Sequence, residues 1–162
     1  MNSVEKRRMV ILSGPVHSGN SGALMQWVPG KSVSGFITPT INNKKVLFNI
    51  ETGETDVYEM NENDGKGIEV GNYRISKEAF VKAKAITTNA IQHSDKQWFV
   101  VDEIGKLELR NEGNHAAIVE LLDNWKNNLL FVIRDYLLQE VINKYQITDA
   151  EIIDQQKLIN LS

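Results

Sequence analysis

Trp98-Phe99-Val100-Val101-Asp102-Glu103 runs from four apolar residues straight into two adjacent carboxylates. An apolar run of this length, aromatic and β-branched, reads as a strand buried on both faces. In a parallel sheet the end of such a strand faces the ligand crevice, so the acidic pair would stand where a ligand sits. Phosphate chemistry suits that placement. One carboxylate can hold a magnesium ion through its water shell, and its neighbour can orient or deprotonate an attacking water. Asp102 fits the first role and Glu103 the second. Any core strand can also end in acidic residues, so the stretch takes its meaning from a partner upstream.

That partner is Gly14-Pro15-Val16-His17-Ser18-Gly19-Asn20-Ser21, followed by Gly22. The pattern G-x-x-x-x-G-K-[ST] describes a loop whose backbone N–H groups wrap phosphate oxygens. Its lysine reaches the terminal phosphates and its hydroxyl ligates magnesium. Here the glycine spacing and the hydroxyl of Ser21 are present, and Asn20 stands at the lysine position. The apolar residues 9–13 before the loop and 23–28 after it predict a strand, a turn and a helix. A helix starting near Gly19 directs its unsatisfied N–H groups and positive dipole end into the loop, so anion binding survives without the cation. Its strength falls: a unit charge about 4 Å from a phosphate is worth roughly 4 kcal/mol at an effective dielectric of 20, before desolvation. That corresponds to ~10³-fold in binding or turnover. Taken alone, the octapeptide also fits an ordinary glycine-containing turn.

The remaining segments predict the frame around these two. Residues 33–38 form a strand after a first helix ended by Pro29-Gly30, and Pro39 closes it. Residues 45–50 and 55–60 flank the polar turn Glu51-Thr52-Gly53-Glu54 as a β-hairpin. Residues 61–67 read as a surface loop and 71–75 as a short extended piece. Ser76 caps a helix running to about Gln92, with Ala79, Ala83, Ile86 and Ala90 on its apolar face. A helix lies within 112–130, a buried strand at 129–133, an amphipathic helix at 136–145 and a last strand at 151–153. Alternating strands and helices of this kind predict an α/β fold: a mostly parallel sheet covered on both faces, with an inserted β-hairpin. At 162 residues, 41% hydrophobic and 24% charged, residues 1–162 are read as one domain.

Composition excludes several classes. A net charge of -3 gives no electrostatic reason to expect nucleic-acid affinity, and Lys6-Arg7-Arg8 reads as a solvated edge. With no cysteine and three scattered histidines, thiol, disulfide and zinc chemistry drop out. No stretch approaches the ~20 apolar residues of a membrane span and no signal-peptide body is seen, so a soluble cytoplasmic protein is the expectation.

The loop, Ser34-Gly35-Phe36-Ile37-Thr38 and Val101-Asp102-Glu103-Ile104-Gly105-Lys106-Leu107-Glu108-Leu109 together resemble the small P-loop nucleoside triphosphatase family that includes cancer-related nucleoside triphosphatase. Their order and spacing extend over nearly the whole chain, and the run over 102–109 is the most selective piece. Val132-Ile133-Arg134 matches the family's basic residue at a late strand end. The resemblance implies a RecA-like P-loop fold that binds ATP or GTP and hydrolyses it with Mg²⁺. Position by position it implies that Gly14, Pro15, Val16, His17, Ser18, Gly19, Asn20, Ser21 and Gly22 cradle the phosphates. Ser21 would ligate magnesium, Asp102 would hold the ion's waters, Glu103 would act on the nucleophilic water and Arg134 would sense the terminal phosphate.

The chain departs from the family pattern in four places. Asn20 replaces lysine, Gly22 replaces a second hydroxyl residue, His17 replaces a glycine, and Thr40 with Asn42 stand where a glutamate and an arginine are common. Lys31 and Lys106 are candidates to replace the missing ammonium, or else plain surface lysines. Trp27, Trp98 and Trp125 read as packing anchors. Two functional readings follow. One is a nucleoside triphosphatase of weak or altered activity. The other is a catalytically inactive nucleotide sensor or protein-interaction module that retains the fold.

Overall fold

The computed structural model describes residues 7–15, 18–61, 65–71 and 73–162. Strand β1 (Met9–Gly14) leads through the glycine loop into helix α1 (Asn20–Trp27), and β2 (Val33–Ile37) follows. Next come β3 (Thr40–Ile41), β4 (Lys44–Asn49), β5 (Thr55–Val57), β6 (Glu59–Met60), β7 (Gly67–Val70) and β8 (Tyr73–Ser76). Helix α2 (Lys77–His93) begins where the Ser76 side chain accepts a hydrogen bond from the Ala79 N–H, the predicted cap. The chain then makes β9 (Trp98–Ile104), α3 (Lys106–Leu109), α4 (His115–Asn124) and β10 (Asn128–Arg134). A 3₁₀ turn (Asp135–Leu137), α5 (Leu138–Tyr145), β11 (Glu151–Ile153) and α6 (Gln155–Ile159) complete it.

The main sheet has the order β11-β1-β10-β9-β2-β4-β3, with β5 paired to β4. From β11 to β2 all neighbours are parallel, and β4 joins β2 antiparallel. Alternation along the parallel strands sends successive residues to opposite faces. Ile11, Phe36, Phe99, Val101 and Phe131 pack in one core cluster with residues of α2, α4 and α5. Val10, Leu12, Ile37, Val100 and Leu130 pack in a second with Leu24, Trp27 and Leu158 from α1 and α6. Fully burying a side chain such as Phe36, Phe99 or Phe131 contributes roughly 1.5–3 kcal/mol. Trp27 and Trp98 meet edge to face with centroids 5.8 Å apart, as packing anchors would.

Gly35 explains the Ser34-Gly35-Phe36 stretch. Its φ is +110°, and a Cβ there would lie 2.2 Å from the Val100 carbonyl oxygen. Only glycine allows β2 to lie this close to β9. The contact matters to the site because it sets β2 against the strand that carries the acidic pair.

The antiparallel part differs from expectation. The segment 55–60 is split at Tyr58, so β5 stays on β4 while β6 enters a separate sheet of order β6-β8-β7. Of the expected loop 61–67, residues 62–64 lie outside the described residues, and Gly67 already begins β7. A second hairpin, β3 to β4, precedes the predicted one. Its turn residues Asn42 and Asn43 have φ of 53° and 68°, the left-handed pair that a two-residue type I′ turn requires and that asparagine tolerates. The expected helix within 112–130 is confined to α4, and the short helices α3 and α6 were not anticipated. Among the described residues no helix is long and apolar enough to cross a membrane.

Candidate active site

Parallel pairing brings the C-terminal ends of the central strands to one edge. Gly14 is in register with Arg134, and Phe36 with Val101, so the loop after β1, the acidic end of β9 and the basic end of β10 converge. Asp102 is only 2% exposed. Its Oδ2 accepts from the Ser21 hydroxyl at 2.5 Å and from the Thr38 N–H at 3.1 Å. The Thr38 hydroxyl donates to the Asp102 backbone oxygen at 3.4 Å. One hydroxyl from the loop and one backbone amide just beyond β2 therefore fix the carboxylate. The peptide joining Asp102 to Glu103 is cis. Glu103 is paired with Arg134, Nη2 to Oε1, at 3.3 Å.

Burial governs the electrostatics. It pushes the Asp102 carboxyl above its ordinary range, while the hydrogen bonds from Ser21 and Thr38 and the charge of Lys45 pull it back. Glu103 is likewise raised by burial and then by the Asp102 charge, and Arg134 and Lys45 oppose that rise. The selective run after β9 has a structural function. Glu108 accepts from the Gly105 N–H at 2.7 Å and from the Asn114 N–H at 2.8 Å. A Cβ at Gly113 would lie 2.2 Å from its Oε2. The buried carboxylate thus pins the chain leaving the acidic pair, and α3 is the local consequence.

On the loop side, Gly19 is the N-cap of α1 in the left-handed region, φ 84° and ψ 29°, and no side chain caps the helix among the described residues. The first-turn N–H groups are thus left to a ligand or to water. Val16 and His17 lie outside the described residues. The Asn20 side chain does not stand free: its Oδ1 accepts from the Gln155 Nε2 at 2.9 Å, and the same amide donates to the Ser18 carbonyl. An amide at the lysine position is tied to α6.

Pro15, Ser18, Gly19, Asn20, Ser21 and Gly22 line a cavity of about 420 Å³ together with Asp102, Glu103 and Arg134. Gly14 ends β1 just behind it. Thr38, Pro39, Thr40, Lys45 and Tyr73 complete the wall. A second cavity, of about 290 Å³, shares Lys45, Tyr73, Glu103 and Arg134 with the first and continues toward Tyr58, Leu107 and Tyr136. Neither lysine singled out in the sequence reaches the loop cavity's wall. Lys31 Nζ lies over the Trp27 ring at 5.2 Å, and Lys106 Nζ over Tyr136 at 5.9 Å, lining the second cavity only. The cation in the loop cavity that sequence reasoning missed is Lys45, and the Asn42-Asn43 turn was the available signal for the hairpin that places it.

The donor set fits magnesium. No three His, Cys, Asp or Glu residues cluster as a metal cage among the described residues. Instead one hydroxyl and one carboxylate, both hard oxygen donors, meet at Ser21 and Asp102. Magnesium favours such sparse protein ligation, keeping waters and phosphate oxygens for its other positions.

Comparison with known proteins gives a consistent frame. A family model described as NTPase matches residues 10–157. No curated protein matches the chain significantly. The solution structure of a human cancer-related nucleoside triphosphatase superposes with a TM-score of 0.69 at 21% identity, covering 94% of each chain. The crystal structure of THEP1 from the hyperthermophile Aquifex aeolicus superposes with a TM-score of 0.69 at 18% identity, covering 91% of this chain and 89% of the other. At these identities the likeness concerns the fold, and the fold is that of P-loop NTPases.

Proposed function

The chain belongs to the NTPase family whose model spans residues 10–157, and from that premise we propose that the loop cavity binds a nucleoside triphosphate, ATP or GTP. We propose further that it hydrolyses the nucleotide to diphosphate and phosphate with magnesium, at a rate reduced or altered by Asn20. The observation that carries this reading is the 2.5 Å contact between Ser21 and Asp102, made in the cavity that Glu103 and Arg134 also line.

Backbone N–H groups from Gly19 to Gly22 bind phosphate oxygens at the N-terminus of α1. Ser21 and Asp102 would hold magnesium, which when bound supplies neutralising charge for the phosphates. Glu103 orients a water and takes its proton. Arg134 keeps the Glu103 carboxylate in place and adds a cation on the terminal-phosphate side. Positioning and electrostatics account for most of phosphoryl transfer, so a site with both carboxylates and the hydroxyl retains much of what the reaction requires. No nucleic acid or membrane enters this reading, and a cytoplasmic setting suits a nucleotide substrate.

The test is phosphate release from ATP and GTP with magnesium, parent against Glu103→Gln. Release above blank by the parent is expected, with a loss of about 10²- to 10⁴-fold in the variant and nucleotide affinity little changed. A parent that releases no phosphate sinks hydrolysis. The tie between Gln155 and Asn20 favours a second reading, a nucleotide sensor without turnover. Calorimetric binding in the absence of phosphate release identifies it, and absence of both leaves a protein-interaction module.

A further inference from the structure

Position 20 lacks a cation, but the cavity does not. Lys45 is the first inward residue of β4: it lies on the same strand face as Leu47, which is buried in the core. Its own backbone N–H donates to Glu59 Oε1 at 3.1 Å, and it is in register with Thr40 across the β3–β4 hairpin. That hairpin rises from the end of β2, past Thr38, whose N–H holds Asp102. The base of the Lys45 side chain is therefore fixed by sheet geometry beside the acidic pair. Its Nζ lies 5.1 Å from the centre of the Tyr73 ring, a cation–π contact that leaves the ammonium hydrogens free for an anion. No carboxylate pairs with it at ion-pair distance among the described residues, although its charge acts on both Asp102 and Glu103. It lines the cavity that holds the loop and the adjoining one as well.

We propose that Lys45 supplies, from the inserted β-hairpin, the ammonium that the phosphate loop lacks, binding the terminal phosphate of a triphosphate across the cavity from Asn20. This rests on the nucleotide reading above. A loop lysine reaches the phosphates from the helix side. Lys45 reaches them from the hairpin side and meets the same terminal phosphates that a loop lysine would reach. The consequence is selectivity by phosphate count. A triphosphate long enough to meet Lys45 gains a charge-assisted hydrogen bond, and a monophosphate held at the loop does not.

Equilibrium titration with a non-hydrolysable triphosphate analogue, the diphosphate and the monophosphate tests this in the full chain with magnesium. The proteins are the parent, Lys45→Met, Lys45→Arg, and Lys45→Met combined with Asn20→Lys. Methionine keeps the packing against Tyr73, and thermal melts check that the variants fold. The expected loss in Lys45→Met is roughly 10- to 100-fold for the triphosphate, the worth of one charge-assisted hydrogen bond, and under about threefold for the monophosphate. Lys45→Arg should retain most of the affinity, and adding Asn20→Lys to Lys45→Met should recover it. Undiminished triphosphate binding by Lys45→Met overturns the inference alone, as does an equal loss for all three nucleotides. A parent that binds none of them overturns the nucleotide reading, and the inference falls with it.

Discussion

The acidic strand end and the phosphate loop face each other across one cavity, yet they are held by different forces. Asp102 belongs to the central sheet: its strand is buried on both faces, and its carboxylate is fixed by Ser21 and Thr38. The same residues make the core and half of the site, so neither can change without the other. The loop is a local backbone conformation set by Gly19 and the start of α1, and its charge would come from one side chain. Loss of that side chain costs binding energy but no core contact. A fold can therefore persist after the loop has lost its lysine, and the remaining question is what supplies the missing charge.

The comparison can be broken most severely at Gly35. Gly35→Ala would drive a Cβ into the Val100 backbone at a φ of +110°. A destabilisation of about 3–5 kcal/mol is expected, lowering the denaturant midpoint and nucleotide binding together. If binding were lost with stability intact, the acidic half would not be part of the core. Asn20→Lys comes next. It should leave the melting temperature within a few degrees and tighten triphosphate binding by about 10- to 10³-fold, read by calorimetry. A smaller gain than in the Lys45→Met background would show two cations sharing one anion. The smallest effect is expected at Gln155→Ala, which removes the amide from Asn20 and Ser18. It should cost about 0.5–1.5 kcal/mol of stability and change nucleotide affinity only a few-fold, because the loop's N–H groups remain.

The same division explains what could be read from the sequence. Residues 98–103 were legible because a doubly buried strand is an uninterrupted apolar run whose end is marked by charge. The parallel frame followed from alternation of such runs with amphipathic segments. The loop was legible through glycine spacing, and Ser76 through its cap. Lys45 was not, because its position depends on register across β3 and β4 and on the path of β2 past Thr38. Those are long-range facts, whereas Lys31 and Lys106, nearer in sequence to the loop and the acidic pair, lie over Trp27 and Tyr136. The Asn42-Asn43 turn was written in the chain, but asparagine pairs mark hairpins less strongly than Asn-Gly. The split at Tyr58 was invisible because no glycine or proline interrupts 55–60, and only tertiary pairing decides which sheet each half joins.

The links from α6 to the loop region bear on how the protein is made. Gln155 holds Ser18 and Asn20, and the Trp27 indole N–H donates to the Leu161 carbonyl at 3.1 Å, so residues 155–161 fasten a segment more than 130 positions upstream. A ribosome adding ~5–20 residues per second needs roughly 7–27 s to pass from residue 20 to residue 155. For that interval the nascent loop and α1 have no lock, and β1 also waits for β10 and β11, its neighbours in the sheet. The loop region is thus secured only once residues 155–161 have been made, well after its own residues.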